Sequence, residues 1–593
     1  MAKISVAAVF SDNMVLQRDK NINIFGWVEW DESDKEIFVK AELFDKAGGL
    51  IGENVLRQAQ EPQVQAQEPQ AQTQEPQAQT QELQAQAQEL QAKAQKWILT
   101  LPAQKAQEDC SLKINLNNSE SISFSGIAIG EVWLAGGQSN MEFELQNCTE
   151  GPEELADSRG ENGANKVRFY YTNKIAWIDQ HFYQAEKNTC WQKWESSPEG
   201  RKAWSAVGYF FAKKLAHDLD CTVGIIGCNW GGTSASTWMR REYLEKDIEL
   251  KTYLDEQEEA TAGKSIEEQC REFDEYEKVL VVWQKKCAEL YAKEPDIKWS
   301  KVEEILGKAP WPGPRSCKNS NRPCGLYECM VNRVLPYTIK GVIWYQGESD
   351  DHKPNSYAKL FSNMIENWRT DWKDAELPFV FVQLPCHRNE YDQDFKHWCI
   401  IRQQQEKVWR QIKNTYMTCA LDLGQFNDIH PKAKRKVGER LEENAMANVY
   451  SAYSKKSPSE VLSPILKSYI IKGPDPAEAN SFGKIEISFD NAAQGFVAHQ
   501  DKTNLDYYKQ MEAHQGKSVS AAFTGFEIAG SDGVFYPAAY KFGQNLGKAA
   551  NIIILSSPLV KNPAAARYAW YNYGPVNIYG KNGLPLAPFY IFS

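Results

Sequence analysis

Hydrophobic positions follow two different periods along this chain, and the change of period divides it. Up to about residue 125, short alternating or β-branched runs predict strands at Ile22–Trp27, Ile37–Phe44, Lys96–Leu101 and Ser111–Leu116. Joined by polar turns, these suggest a sandwich-like β domain over residues 1–125. Beyond it, continuous apolar runs at 221–228, 341–346, 378–384 and 416–423 alternate with helical spacing. Val207, Phe210, Phe211 and Leu215 mark one helix face; Tyr357, Leu360, Phe361, Met364, Ile365, Trp368 and Trp372 mark another, and a further helix is expected near His397–Ile412. Strands lacking a polar face, separated by amphipathic helices, predict an α/β unit with a doubly wound parallel sheet over residues 126–456. Within it, residues 242–307 are charged and amphipathic and read as a helical insertion. Short strands return after 457, among them Lys484–Phe489 and Ile552–Ser556, and predict a C-terminal β domain over 457–593.

One stretch has neither period. Residues 57–95 are built almost wholly of Gln, Ala, Glu and Pro, with Glu61, Glu68, Glu75, Glu82 and Glu89 recurring every seventh position. Each repeat holds at most one large apolar residue and the first three hold proline, so a coiled-coil seam is excluded. The expectation is a disordered or polyproline-like insertion in a surface loop.

Composition narrows the function classes. A net charge of −11 argues against a nucleic-acid partner held by phosphate neutralisation. No apolar stretch approaches transmembrane length, and the amino terminus lacks a signal-like apolar region, so the expected location is cytoplasmic, with periplasmic or extracellular as the alternative. The thirteen cysteines are scattered; Cys317, Cys324 and Cys329 lie closest together but fit no common metal spacing. They read as free thiols in a reducing compartment, with a disulfide among those three as the alternative in an exported protein.

The candidate chemistry sits where strands end. Glu131-Val-Trp-Leu-Ala-Gly-Gly-Gln-Ser-Asn-Met-Glu142 is an apolar run closed by two glycines and a polar triplet, which places Ser139 at a strand's carboxyl end, where open α/β sheets hold their ligands. A serine in such a turn more often caps a helix than attacks a substrate, so partners must be found. Asn229-Trp-Gly-Gly-Thr-Ser234 offers the backbone N–H groups of Gly231 and Gly232 to an oxyanion. In Trp344-Tyr-Gln-Gly-Glu-Ser-Asp350, Gln346 is a candidate oxyanion donor and Glu348 a carboxylate to support a histidine or bind substrate. In Asp422-Leu-Gly-Gln-Phe-Asn-Asp-Ile-His-Pro431, His430 is a candidate base, with Asp428 or Asp422 to hold its tautomer and Pro431 suited to a first helical position.

These four motifs, in this order, resemble the SGNH-type sialate O-acetylesterases and their acetylxylan-esterase relatives. Ser-Asp-Asn-Met-Val-Leu-Gln17 near the start is similar to that family's flanking β regions, as are Gly525-Phe-Glu-Ile-Ala-Gly530 and Arg567-Tyr-Ala-Trp570. The resemblance implies an SGNH hydrolase core flanked by N- and C-terminal β domains, with Ser139 as nucleophile and His430 as base. It places the Ser139 N–H, a glycine N–H at 231 or 232 and the Gln346 side chain in the oxyanion hole. Its third block carries Gln346 in place of asparagine, and the usual Asp-x-x-His spacing is shortened to Asp428-x-His430 with Asn427 at the acid position; Asp428, Asp422 and Glu348 therefore all stand as the third triad member. The implied function is removal of O-acetyl groups from sugars, 9-O-acetylated sialic acid foremost and acetylated xylan next, through an acyl-serine, with no metal or cofactor and a glycan as the partner. The reading from another class is a carbohydrate-binding protein with an inert core.

Overall fold

The computed structural model describes residues 2–592 except 31–34, 60–93, 118–119, 295–296, 298, 390–391, 393–395, 478–480, 500–523 and 546–547. The seven-residue repeat therefore lies outside the described residues; the strands Leu50–Ala59 and Ala94–Leu101 flank it.

The architecture is mixed α/β. Its main sheet contains β1 (Glu120–Gly137), β2 (Val167–Tyr171), β3 (Val223–Asn229), β4 (Gly341–Tyr345), β5 (Phe379–Gln383) and β6 (Thr415–Cys419), in spatial order β2-β3-β1-β4-β5-β6. Every neighbouring pair in that run is parallel. Strands β3, β4 and β5 are buried at every position, as their continuous apolar runs require. The crossovers include the helices α1 (Ala206–Leu219), α2 (Ile266–Lys293), α3 (Tyr357–Asp371) and α4 (His397–Gln411), and α5 (Arg435–Asn448) follows β6. Helices in the segment 242–307 and at its edges run over Arg241–Glu245, Ile248–Thr261, α2 and Trp299–Leu306. Among the described residues no helix is long and apolar enough to cross a membrane.

The boundary placed at 125/126 falls inside one strand. The first half of β1 alternates in exposure and pairs antiparallel with Gln107–Leu116, a pairing that reaches Ile129. Every residue is buried from Ile127 onward, and pairing with β3 begins at Glu131 and with β4 at Trp133. One hydrophobic cluster accordingly joins Ile24, Leu43 and Trp97 to Trp133, Phe211 and Trp344, and each fully buried side chain of that size contributes about 1.5–3 kcal/mol. A separate cluster gathers Ile485, Phe489, Phe526, Ile553 and Phe589 against Cys386, Cys419 and Leu421, so the C-terminal strands pack on the loops that leave β5 and β6.

Candidate active site

The register sets three strand ends level: Gly137 pairs with Asn229 on one side and with Tyr345 on the other. Three loops therefore leave the sheet side by side. Gly137 holds φ +136°, and a Cβ there would meet the Tyr345 carbonyl oxygen at 2.1 Å, so only glycine lets these strands close. The Trp230 N–H donates to Gly137 O and the Gln138 N–H to Tyr345 O, both at 3.1 Å. Ser139 then opens a one-turn helix, Ser139–Glu142.

The loop after β6 supplies the fourth part. His430 Nε2 lies 2.8 Å from Ser139 Oγ, joining residues 291 positions apart. With its proton on Nδ1, the imidazole can accept the serine proton at Nε2. Burial, helped by the positive charge of Lys434, pulls the His430 pKa down to about 4, so the ring is neutral near pH 7.

Two carboxylates expected to orient that ring are engaged elsewhere. Asp428 Oδ1 accepts the backbone N–H of His430 at 2.8 Å. The two-residue spacing favours such a turn, in which a short carboxylate reaches the main chain two positions on. Asp422 forms a paired contact with Arg440, at 2.7 and 2.8 Å, and so anchors α5. Pro431 does not begin the helix; α5 starts at Arg435, and the intervening loop carries Lys434 inward.

Glu348 does reach the site, through Asn140. The Asn140 amide donates to Glu348 Oε1 at 2.6 Å and to Ile429 O at 3.0 Å, while its oxygen accepts from Lys434 Nζ at 2.6 Å. One side chain thus ties the residue after the candidate nucleophile to the residue before the candidate base. Burial pushes the Glu348 carboxyl up to about 7 and the Lys434 ammonium down to about 7, as expected for charges withdrawn from water.

The candidate oxyanion donors divide. A Cβ on Gly231 would meet Ser139 Cβ at 3.2 Å, so this glycine lies directly beside the serine. Its N–H donates to the Glu142 carboxylate, whose other oxygen receives Lys174 Nζ. Gly232 adopts φ +72° with the Trp311 ring against its Cα. Gln346 is the correction: its amide donates to Asp350 Oδ2 at 2.6 Å and Thr233 O at 3.1 Å, and its oxygen accepts from Tyr357 at 3.0 Å. Both of its amide hydrogens are spent inside the protein. Asp350 further accepts from Ser234 Oγ, the Ala235 N–H and Tyr253, so it binds the β3 and β4 loops together from below.

Sequence reasoning passed over Asn140, Lys434, Asp350 and Glu142 as site residues. Asn140, Glu142 and Asp350 stood within the strand-end motifs, which was the available signal. Lys434 gave none. Among the described residues no group of three or more His, Cys, Asp or Glu is arranged to hold a metal ion.

Comparison with known proteins bears on this site. Residues 313–447, which carry Glu348 and His430, match the family described as carbohydrate esterase, sialic acid-specific acetylesterase. It is the family that the four motifs resemble. The sialate O-acetylesterase of Mus musculus is 26% identical over 405 residues, covering 64% of this chain and 65% of that protein. The human sialate O-acetylesterase is 24% identical over 409 residues, covering 66% and 61%. The alignments thus span less than two thirds of the length of these relatives. A carbohydrate acetylesterase from Xanthomonas citri, of known structure, is 22% identical with a TM-score of 0.66 and covers 100% of both chains, a likeness of fold.

Proposed function

We propose that this chain is a serine esterase that removes O-acetyl groups from sugars, with 9-O-acetylated sialic acid as the foremost substrate and acetylated xylan as the alternative. The 2.8 Å contact between Ser139 Oγ and His430 Nε2 carries the proposal. The matched family and the names of the relatives supply the substrate class. Its fold would be an SGNH-type doubly wound core with β regions at both ends, in keeping with the parallel order of β2 to β6.

In this reading Ser139 Oγ attacks the acetyl carbonyl carbon while His430 Nε2 takes the hydroxyl proton. The tetrahedral oxyanion is held by the Ser139 and Gly231 N–H groups, for which Gly231 must exchange its Glu142 carboxylate for the substrate oxygen. His430 returns the proton to the departing sugar hydroxyl, leaving acetyl-serine. Water then attacks the acetyl group with the same imidazole as base, and acetate leaves. Asp428 sets the backbone of His430, and Glu348 acts through Asn140 on both loops.

The test is acetate release from 9-O-acetylated sialic acid and from acetylated xylan by the wild type and Ser139→Ala. Wild-type turnover on the sialate, lost by several orders of magnitude in the variant, supports the reading. Preference for xylan moves it to the alternative substrate. Equal rates in both proteins would overturn it.

A further inference from the structure

The helical insertion meets the segment that backs the Gly231–Ser234 loop at a contact that holds a pair of free cysteines. The first turns of α2 face the segment Gly313–Arg322. The Cys317 N–H donates to Gln269 Oε1 at 3.0 Å, Ser316 Oγ donates to Gln269 O at 2.9 Å, and Lys318 pairs with Asp274. Between these contacts Cys270 Sγ and Cys317 Sγ lie 3.5 Å apart. A disulfide needs about 2.05 Å between sulfurs, so closure requires a movement of only about 1.5 Å. Cys317 thus faces Cys270, not Cys324 or Cys329; burial pushes both of those thiols up to about 12.

The same segment backs the loop beside Ser139. The Asn321 side chain accepts the Ser234 N–H at 3.1 Å and donates to Gly232 O at 2.7 Å, and the Trp311 ring covers Gly232.

We propose that Cys270 and Cys317 form a reversible disulfide site, closed by a small disulfide oxidant such as oxidised glutathione, that clamps the segment backing the Gly231–Ser234 loop. Cys270 is the partly exposed sulfur and Cys317 the buried one. The contact with Cys317 and burial raise the Cys270 pKa, but Cys270 is the accessible sulfur and reacts first. On losing its proton it attacks one sulfur of oxidised glutathione, whose S–S bond breaks and releases one glutathione thiolate. Cys317 then attacks Cys270 Sγ, and the second glutathione thiolate leaves. The protein thiols lose two protons and two electrons; the oxidant gains them as two glutathione thiols. Cys317 is suited to act as the resolving thiol because it lies 3.5 Å from Cys270 Sγ, with Ser316, Arg322 and Lys318 favouring its thiolate.

The experiment incubates the full chain with oxidised glutathione, blocks remaining thiols and maps unreduced peptides by mass spectrometry. Expected is a peptide joining Cys270 to Cys317 with no glutathione retained on either, while exposed Cys190 carries an adduct. In Cys317→Ser, which removes the resolving thiol, Cys270 should keep one glutathione. Hydrogen exchange in Gly313–Arg322 should slow on oxidation of the wild type and not of that variant. Cys190 modified while Cys270 and Cys317 remain free to alkylate would overturn the proposal. So would Cys317 bridged to Cys324 or Cys329, or an exchange rate that oxidation leaves unchanged.

Discussion

Asn140→Ala isolates the link between the loops that carry Ser139 and His430. The substitution deletes three hydrogen bonds at a residue 1% exposed: to Glu348, to Lys434 and to Ile429 O. Bonds to charged partners are worth about 1.5–3 kcal/mol each and a neutral one about 1. Because the three share one side chain they do not simply add, and a loss of about 3–5 kcal/mol is expected. The chain should still fold at low temperature, since whole-protein stabilities run at about 5–15 kcal/mol. Catalysis should suffer more than binding: Ile429 precedes His430, and a displacement of about 1 Å at the base can cost about 10²-fold. Urea unfolding followed by tryptophan fluorescence, alongside kcat and KM for p-nitrophenyl acetate, gives both quantities. A stability change under about 1 kcal/mol with kcat within about twofold of wild type would refute the bridging role.

Further outcomes follow from the same geometry. The base must be neutral to accept a proton, so kcat/KM should rise with pH through the His430 pKa and be flat above about pH 5, since that pKa lies near 4, not 6.5. Lys434→Met removes a positive neighbour and should move the acid limb to higher pH; an unmoved limb would show that Lys434 does not act on the ring. Gln346→Ala should destabilise by about 1.5–3 kcal/mol through its lost bond to Asp350, whereas a 10²- to 10³-fold fall in kcat at unchanged stability would make it an oxyanion donor after all. Asp428→Ala should lower kcat about tenfold through the His430 backbone; a fall of about 10⁴-fold would instead mark it as the acid that holds the ring.

Much of the arrangement was legible because its signals are local. The apolar runs ending at Gly137, Asn229 and Tyr345 are buried throughout, so their periodicity was unambiguous, and the glycines beyond them marked the turns. Leu50–Ala59 went unread because it is largely exposed and has no apolar face. The change of pattern near residue 126 was real, but it marks where one strand passes from a half-exposed edge into the buried centre, not where one unit ends. Side-chain direction was the harder part. Gln346 turns inward because Asp350 is buried four residues on, and Asn140 finds partners 208 and 294 positions away. Contacts across such distances leave no trace in a local pattern. Cys270 was hidden likewise, 47 residues from Cys317.

The most direct measurement is covalent labelling of the resting protein by a fluorophosphonate, which reacts only with a hydroxyl activated by a neighbouring base. If His430 activates Ser139, one label per chain should map to Ser139, should fall away in His430→Ala, and should be blocked by an acetylated sugar. Labelling at another serine, or none at Ser139 in a protein that still releases acetate, would contradict the assignment of this pair.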